Sequence, residues 1–158
     1  MQGGNNANIP VENVGRAIAS LAGAGAKNIL LANLPDLGQL PATRTAANSA
    51  SLTALTQAHN QGLRRTVKVL SQQHSDLKIA TLDANALYRE AITSPARYGL
   101  TNATSACLSG GGVCGSPDRF LFWDGIHPTT AAHKILGEAA SAIVQESGMI
   151  KSELGMLR

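Results

Sequence analysis

An aspartate and a histidine three residues apart are the side chains whose types and spacing best fit acid–base chemistry. Asp124 and His127 lie in the segment Phe-Trp-Asp-Gly-Ile-His-Pro-Thr, just before a predicted helix. An aspartate that accepts a hydrogen bond from one imidazole nitrogen fixes the tautomer and leaves the other nitrogen free as a base. Such a pair activates a serine hydroxyl for acyl transfer. Ser109, beside a run of glycines, lacks the preceding strand and following helix that a serine nucleophile needs, so no serine of the chain is assigned that role.

The other histidines offer a weaker alternative. His133 follows His127 by six residues, and a metal-dependent hydrolase would join Asp124, His127 and His133. A zinc site usually needs further ligands at a regular spacing, and none follows here, so we expect no metal and no diffusible cofactor. His133 is expected to serve helix packing or hydrogen bonding. His59 and His74 have no catalytic context and are expected at the surface of a long helix.

The two cysteines predict a disulfide bond. Cys107 and Cys114 are separated by a glycine-rich segment that easily brings them together. A bridge over this loop removes roughly 2.5 kcal/mol of unfolded-state entropy. Paired cysteines are typical of an oxidising compartment, so the pair predicts a secreted, periplasmic or extracellular location.

The elements that must position these residues alternate between helix and strand. Apolar residues at helical spacing predict helices over residues 14–24, 48–71 and 84–92, and a last one from near Thr129. Short apolar runs predict buried strands over residues 28–34 and 78–83, and residues 94–119 are expected to form a loop. This alternation favours a parallel sheet covered by helices, with ligands at the carboxyl ends of the strands. Two strands are too few for a stable sheet of this kind, so either a strand is missed or the chain is the second half of a larger domain.

Composition and charge exclude several classes of protein. The chain has 158 residues, 44% hydrophobic and 15% charged, which suits one domain with a buried core. Its 13 basic and 10 acidic residues give a net charge of +3, and the positive charges are scattered. The cluster of Arg64, Arg65 and Lys68 fits a solvated helix face, so no nucleic-acid partner is expected. No apolar run approaches the roughly 18–20 residues of a membrane span, and no signal peptide is apparent.

Four segments resemble conserved blocks of the GDSL, or SGNH, family of serine esterases and lipases. The segment from Phe122 to His133 is similar to the family's last block, in which the Asp and His complete the catalytic triad. The run at 29–38 resembles the family's fourth-strand region, and 94–107 resembles the segment before the last block. Gly3-Gly-Asn5-Asn6 resembles the Gly-x-Asn-Asp block, with Asn6 where the family usually has Asp. The resemblance covers about residues 3 to 147.

The resemblance implies a three-layer α/β/α flavodoxin-like fold and carboxylic ester hydrolysis by a Ser-His-Asp triad. His127 would be the base, Asp124 would orient it, and Asn5 would donate to the oxyanion, although Gly-Gly-Asn-Asn also suits a simple turn. The family's Gly-Asp-Ser-Leu block, which carries the nucleophile, has no counterpart in the sequence. We therefore expect residues 1–158 to form a single partial domain, the C-terminal portion of a family member, inactive without its N-terminal half.

Three interpretations remain open. In the first, the substrate is a lipid, a short acyl ester or an acetylated sugar, and the partner is the missing N-terminal half of the same enzyme. In the second, the chain is a non-catalytic module that retains the fold's second half for binding. The third is the metal-dependent hydrolase that uses Asp124 and two histidines.

Overall fold

The computed structural model describes residues 6–150, which form a mixed α/β structure. Its four α-helices are α1 (Asn8–Gly23), α2 (Ser49–Gln73), α3 (Ala84–Thr93) and α4 (Thr130–Glu146). Its strands are β1 (Asn28–Ala32), β2 (Lys78–Leu82), β3 (Asn102–Ala106), β4 (Leu108–Ser109), β5 (Gly112–Val113) and β6 (Phe120–Phe122). Short 3₁₀ turns lie at Pro95–Tyr98 and Pro117–Arg119. None of the helices in this range is both long enough and apolar enough to cross a membrane.

The strands form two parallel pairs and one short hairpin. Strand β1 pairs with β2 in register, with Ile29 opposite Ile79. Strand β3 pairs in parallel with β6, with an irregularity between Asn102 and Ala106. Strands β4 and β5 form an antiparallel hairpin. The predicted α/β class with parallel strands is confirmed.

Helices α1 and α2 pack together on the β1–β2 pair. The buried centre of this layer is formed by Ile18, Leu70 and Leu77, and it contacts Ile29 and Ile79 of the strands. The two helices approach each other closely near Gly62, where an added Cβ would lie 3.2 Å from Cγ2 of Val11. A glycine in the middle of α2 lowers the intrinsic stability of the helix. The close approach of Val11 is the physical reason why a glycine is nevertheless found at position 62.

A second hydrophobic core includes side chains of β6 and α4. It consists of buried side chains from six segments of the chain: Leu40, Tyr88, Ala91, Leu100, Ala103, Leu121, Phe122 and Ala132. Phe122 is completely buried, and its ring centroid lies 5.9 Å from that of Tyr88. Because Leu121 and Phe122 are part of this core, it holds the carboxyl end of β6 in place.

The structure differs from the sequence-based expectation in three places. Residues 94–119 contain β3 and the hairpin, because the small and polar residues of Asn102–Ala106 become a strand only by pairing with β6. His59 is buried at the centre of α2, whereas a surface position was expected. Helix α1 begins at Asn8, six residues earlier than its apolar spacing indicates, since Pro10 is tolerated in a first helical turn.

Candidate functional site

The loop between β6 and α4 carries Asp124 and His127. Trp123 donates its backbone N–H to the carbonyl oxygen of His127 at 2.8 Å, which closes the loop on itself. At its far end, Thr129 donates from its hydroxyl to the carbonyl oxygen of Phe120 at 2.6 Å and accepts from the N–H of Ala132 at 3.1 Å. The second bond caps α4, so both ends of the loop are tied to regular structure.

The two side chains meet within this loop. Nδ1 of His127 lies 2.8 Å from Oδ2 of Asp124. Because a carboxylate can only accept, Nδ1 carries the hydrogen and Nε2 of a neutral ring carries a lone pair. The His127 side chain is 71% exposed and that of Asp124 35%, so the ring is open to an incoming group. The arrangement can accept a proton at Nε2 and stabilise the resulting imidazolium.

Backbone hydrogen bonds fix the carboxylate and keep it ionised. Oδ1 of Asp124 accepts from the N–H groups of His127 at 2.7 Å and Ile126 at 2.8 Å. The His127 amide, the Ile126 amide and the His127 ring, in that order of effect, lower the pKa of Asp124 to about 2. The carboxylate is therefore negatively charged throughout the neutral range and ready to balance a cationic imidazole.

The segment that follows β1 supports the loop from one side. Ala42 donates its N–H to the carbonyl oxygen of Gly125 at 3.0 Å, and a Cβ added at Gly125 would lie 3.0 Å from that of Ala42. The same segment is held to α2 at Gly38, where an added Cβ would meet the carbonyl oxygen of Ser49 at 2.3 Å. Only glycine fits these two close approaches without displacement.

The β4–β5 hairpin, which is closed by a disulfide bond and is therefore the disulfide hairpin of this structure, also supports the loop. Cys107 and Cys114 are bonded, with Cα atoms 4.9 Å apart, which confirms the predicted bridge. Cys107 donates its N–H to the carbonyl oxygen of Phe122 at 3.1 Å, and Leu108 donates to that of Trp123 at 2.6 Å. The bridge therefore closes a hairpin whose backbone is hydrogen-bonded to Trp123, the residue immediately before Asp124.

A network of amides joins the carboxyl ends of β1 and β2. Asn33 donates to Oδ1 of Asp83 at 2.8 Å. Asn60, buried in α2, accepts from the N–H of Leu34 at 3.0 Å and donates to its carbonyl oxygen at 2.8 Å. The ring of His59 lies 3.2 Å from Oδ1 of Asn60. The sequence indicates Asn33 and Asp83, because each is a polar residue directly after a strand. It does not indicate Asn60, which lies in α2, far along the chain from both strand ends.

The sequence also pointed to Asn5 and His133. Asn5 is outside the described residues. His133 is exposed, and its Nδ1 donates to the carbonyl oxygen of Thr129 at 2.9 Å, a bond within α4 that agrees with the expected hydrogen-bonding role. Among residues 6–150, no three His, Cys, Asp or Glu side chains are grouped to hold a metal ion. The three residues of the metal-dependent alternative are therefore not assembled.

Parallel strand pairs packed against helices, with an Asp–His pair on the loop after β6, define an α/β protein. The family model for GDSL-like Lipase/Acylhydrolase matches residues 4–140, and the chain belongs to this family. It is 30% identical over 149 residues to the GDSL esterase/lipase APG of Arabidopsis thaliana, covering 82% of this chain. A second Arabidopsis GDSL esterase/lipase is 33% identical over 132 residues, covering 76% of this chain.

A bacterial relative is similar over a comparable share of the chain. A protein from the trpE-trpG intergenic region of Pseudomonas putida is 31% identical over 140 residues, covering 79% of this chain. The match spans 42% of the APG relative, 34% of the second plant relative and 23% of the bacterial one. The chain thus spans well under half the length of these relatives.

Proposed function

We propose that the chain supplies the histidine and aspartate of a Ser-His-Asp triad in a carboxylic ester hydrolase. The observation that carries the proposal is the 2.8 Å contact between His127 Nδ1 and Asp124 Oδ2, which leaves Nε2 free on an exposed ring. Membership of the GDSL-like Lipase/Acylhydrolase family supports the same chemistry.

His127 acts as the general base and then as the general acid. Nε2 takes the proton of the serine hydroxyl as that oxygen attacks the ester carbonyl, and the new imidazolium is stabilised by Asp124. The same proton passes to the departing alkoxide, which leaves as the alcohol. Water then attacks the acyl-serine by the same route, and the products are the acid and the regenerated serine.

The nucleophile comes from an N-terminal half of the same enzyme. No serine of residues 6–150 approaches Nε2 of His127 within hydrogen-bonding distance. The greater length of the relatives supports a larger domain, of which residues 1–158 are a C-terminal portion. In this proposal Asn5 donates its side-chain amide to the oxyanion, a contact whose removal typically costs 10²–10³ in kcat.

The substrate is a carboxylic ester, from the class of lipids, short acyl esters and acetylated sugars. The relatives named esterase/lipase support this class without choosing among its members. The enzyme acts after export to an oxidising compartment. The Cys107–Cys114 bridge supports this location, because such bonds persist where thiols are not kept reduced.

The test is turnover by the restored enzyme, with the upstream half supplied by fusion or co-expression. His127→Ala should abolish hydrolysis of a p-nitrophenyl ester, because it removes the base that the proposal assigns to the serine proton. His133→Ala is the matched control, since it removes a histidine from α4 whose one side-chain hydrogen bond among residues 6–150 is to the backbone of Thr129. Loss of turnover in His133→Ala with normal turnover in His127→Ala would show that the base is assigned to the wrong histidine. A folded restored protein that turns over no ester would favour the non-catalytic binding module.

A further inference from the structure

A separate cavity of about 320 Å³ lies between α2, α3 and the segment that follows β1. Its apolar wall is formed by Leu40, Ile92 and Phe122. Asp36 and Arg89 contribute opposite charges to its lining, so neither sign prevails. Its volume lies at the lower end of the range of about 300–1,000 Å³ for small-molecule sites, and its mixed lining is typical of them.

Tyr88 places an unpartnered polar group in this cavity. The residue is only 7% exposed, and its ring packs on Phe122. Among residues 6–150, no group hydrogen-bonds to its hydroxyl, while the hydroxyl of Tyr98, the other tyrosine, donates to Oε2 of Glu90 at 2.9 Å. Burial raises the pKa of Tyr88 to about 12, so the hydroxyl keeps its hydrogen and can donate it. Among the described residues no fully enclosed side-chain oxygen or nitrogen lacks a partner, so the Tyr88 hydroxyl has accessible surface and can donate to an acceptor that enters the cavity.

The cavity borders two segments that adjoin the loop of Asp124 and His127, and neither of those two residues lines it. Phe122 ends β6, two residues before Asp124. Leu40 belongs to the segment whose Ala42 donates to the carbonyl oxygen of Gly125. A ligand in the cavity therefore touches β6, which leads into the Asp–His loop, and the segment after β1, which supports that loop.

The geometry points to a binding site for the non-reacting part of the ester substrate, an uncharged apolar group that carries one hydrogen-bond-accepting oxygen. Tyr88 donates to that oxygen, and the apolar body lies against Leu40, Ile92 and Phe122. The balanced charges of Asp36 and Arg89 disfavour an anionic or cationic group. This inference rests on the proposed function for the identity of the ligand, while binding itself requires no turnover.

The experiment is an NMR titration of the 158-residue chain with 1-indanone, and with indane as the matched probe that lacks the oxygen. We expect saturable shifts at the amides of Leu40, Thr56 and Asn85, and binding of indane roughly 3- to 10-fold weaker because one hydrogen bond is lost. Tyr88→Phe should bring 1-indanone to the affinity of indane. Tyr98→Phe should leave both affinities unchanged, since its hydroxyl lies outside the cavity.

A second variant blocks the cavity by volume. Ile92→Trp should abolish binding of both probes while the amide shifts of α4, which packs on the same core as Ile92, remain in place and report an intact fold. Shifts that do not saturate at the lining residues, or a preference for 1-indanone that survives Tyr88→Phe, would overturn the inference. Loss of ester turnover in the restored enzyme with probe binding intact would count against the proposed function only.

Discussion

Each oxygen of Asp124 has a separate structural role in the loop that carries His127. Oδ1 accepts two backbone N–H groups, which sets the turn of the chain, and Oδ2 lies against the ring. The carboxylate therefore holds the loop and the imidazole with one side chain. Asparagine at this position keeps one oxygen that can accept the two backbone N–H groups of the turn, but it presents an N–H donor to the His127 ring in place of the second oxygen. The substitution therefore separates the two roles.

Asp124→Asn should lower kcat of the restored enzyme roughly 10⁴-fold, because an amide facing Nδ1 favours the wrong imidazole tautomer. Steady-state hydrolysis of a p-nitrophenyl ester measures the change. The ¹⁵N shifts of the His127 ring should show the hydrogen moving from Nδ1 to Nε2. An unchanged tautomer together with normal turnover would remove Asp124 from the proposed triad.

The low pKa of Asp124 predicts a pH dependence of stability. Its pKa of about 2 in the folded chain lies below the usual 3.8, so the unfolded chain takes up the proton first as the pH falls. The contribution of the Asp124 carboxylate to the free energy of unfolding is complete above about pH 4 and is lost as the pH falls toward 2. The Tm difference between wild type and Asp124→Asn, followed by circular dichroism, should accordingly shrink over that window.

Asp118→Asn provides the control for this titration. Asp118 is exposed, and its side chain makes no hydrogen bond to any residue in the range 6–150. Its substitution should leave the pH dependence of Tm unchanged. A Tm difference for Asp124→Asn that stays constant from pH 6 to pH 2 would contradict the stabilising role of the carboxylate.

At the scale of elements, the disulfide hairpin and the segment after β1 hold the Asp–His loop from two sides. The hairpin acts through backbone bonds to Phe122 and Trp123, and the segment acts through Ala42 and Gly125. Neither contact involves the side chains that would do chemistry. The loop itself is short and partly exposed, so its geometry depends on these neighbours.

Replacing both Cys107 and Cys114 by Ser should loosen this support. The free energy of unfolding should fall by roughly 2.5 kcal/mol on the loop-closure estimate, and hydrogen exchange should accelerate at the amides of Leu108 and Trp123. Trp123 is the single tryptophan of the sequence, so its emission reports directly on the loop. Reductant should shift the emission of wild type and have no effect on the double variant. Emission that is the same in both proteins would show that the bridge does not hold the loop.

For the whole molecule, the proposal predicts that the 158-residue chain has no serine-hydrolase activity on its own. A fluorophosphonate probe, which labels activated serines, should leave the purified chain unlabelled and label the restored enzyme. His127→Ala in the restored enzyme is the control and should abolish that labelling. Stoichiometric labelling of a serine in the isolated chain would contradict the prediction and place the nucleophile within these residues.

The sequence by itself determined the features whose signals are local. Helical spacing indicated α2, α3 and α4, apolar runs indicated β1 and β2, and two cysteines around a glycine-rich segment indicated the bridge. The contact of Asp124 with His127 was also foreseeable, because three residues and a following helix leave the side chains close together. Each of these features depends on neighbours within one turn or one loop.

Only the tertiary structure decided the features that depend on distant partners. Strand β3 has no apolar pattern of its own and exists through its pairing with β6. His59 is buried because Asn60 of the same helix turn reaches Leu34 at the end of β1. The cavity at Tyr88 needs α2, α3, β6 and the segment after β1 together. Pairing, burial and cavities arise from residues far apart along the chain, and the spacing of residue types does not encode which of them meet.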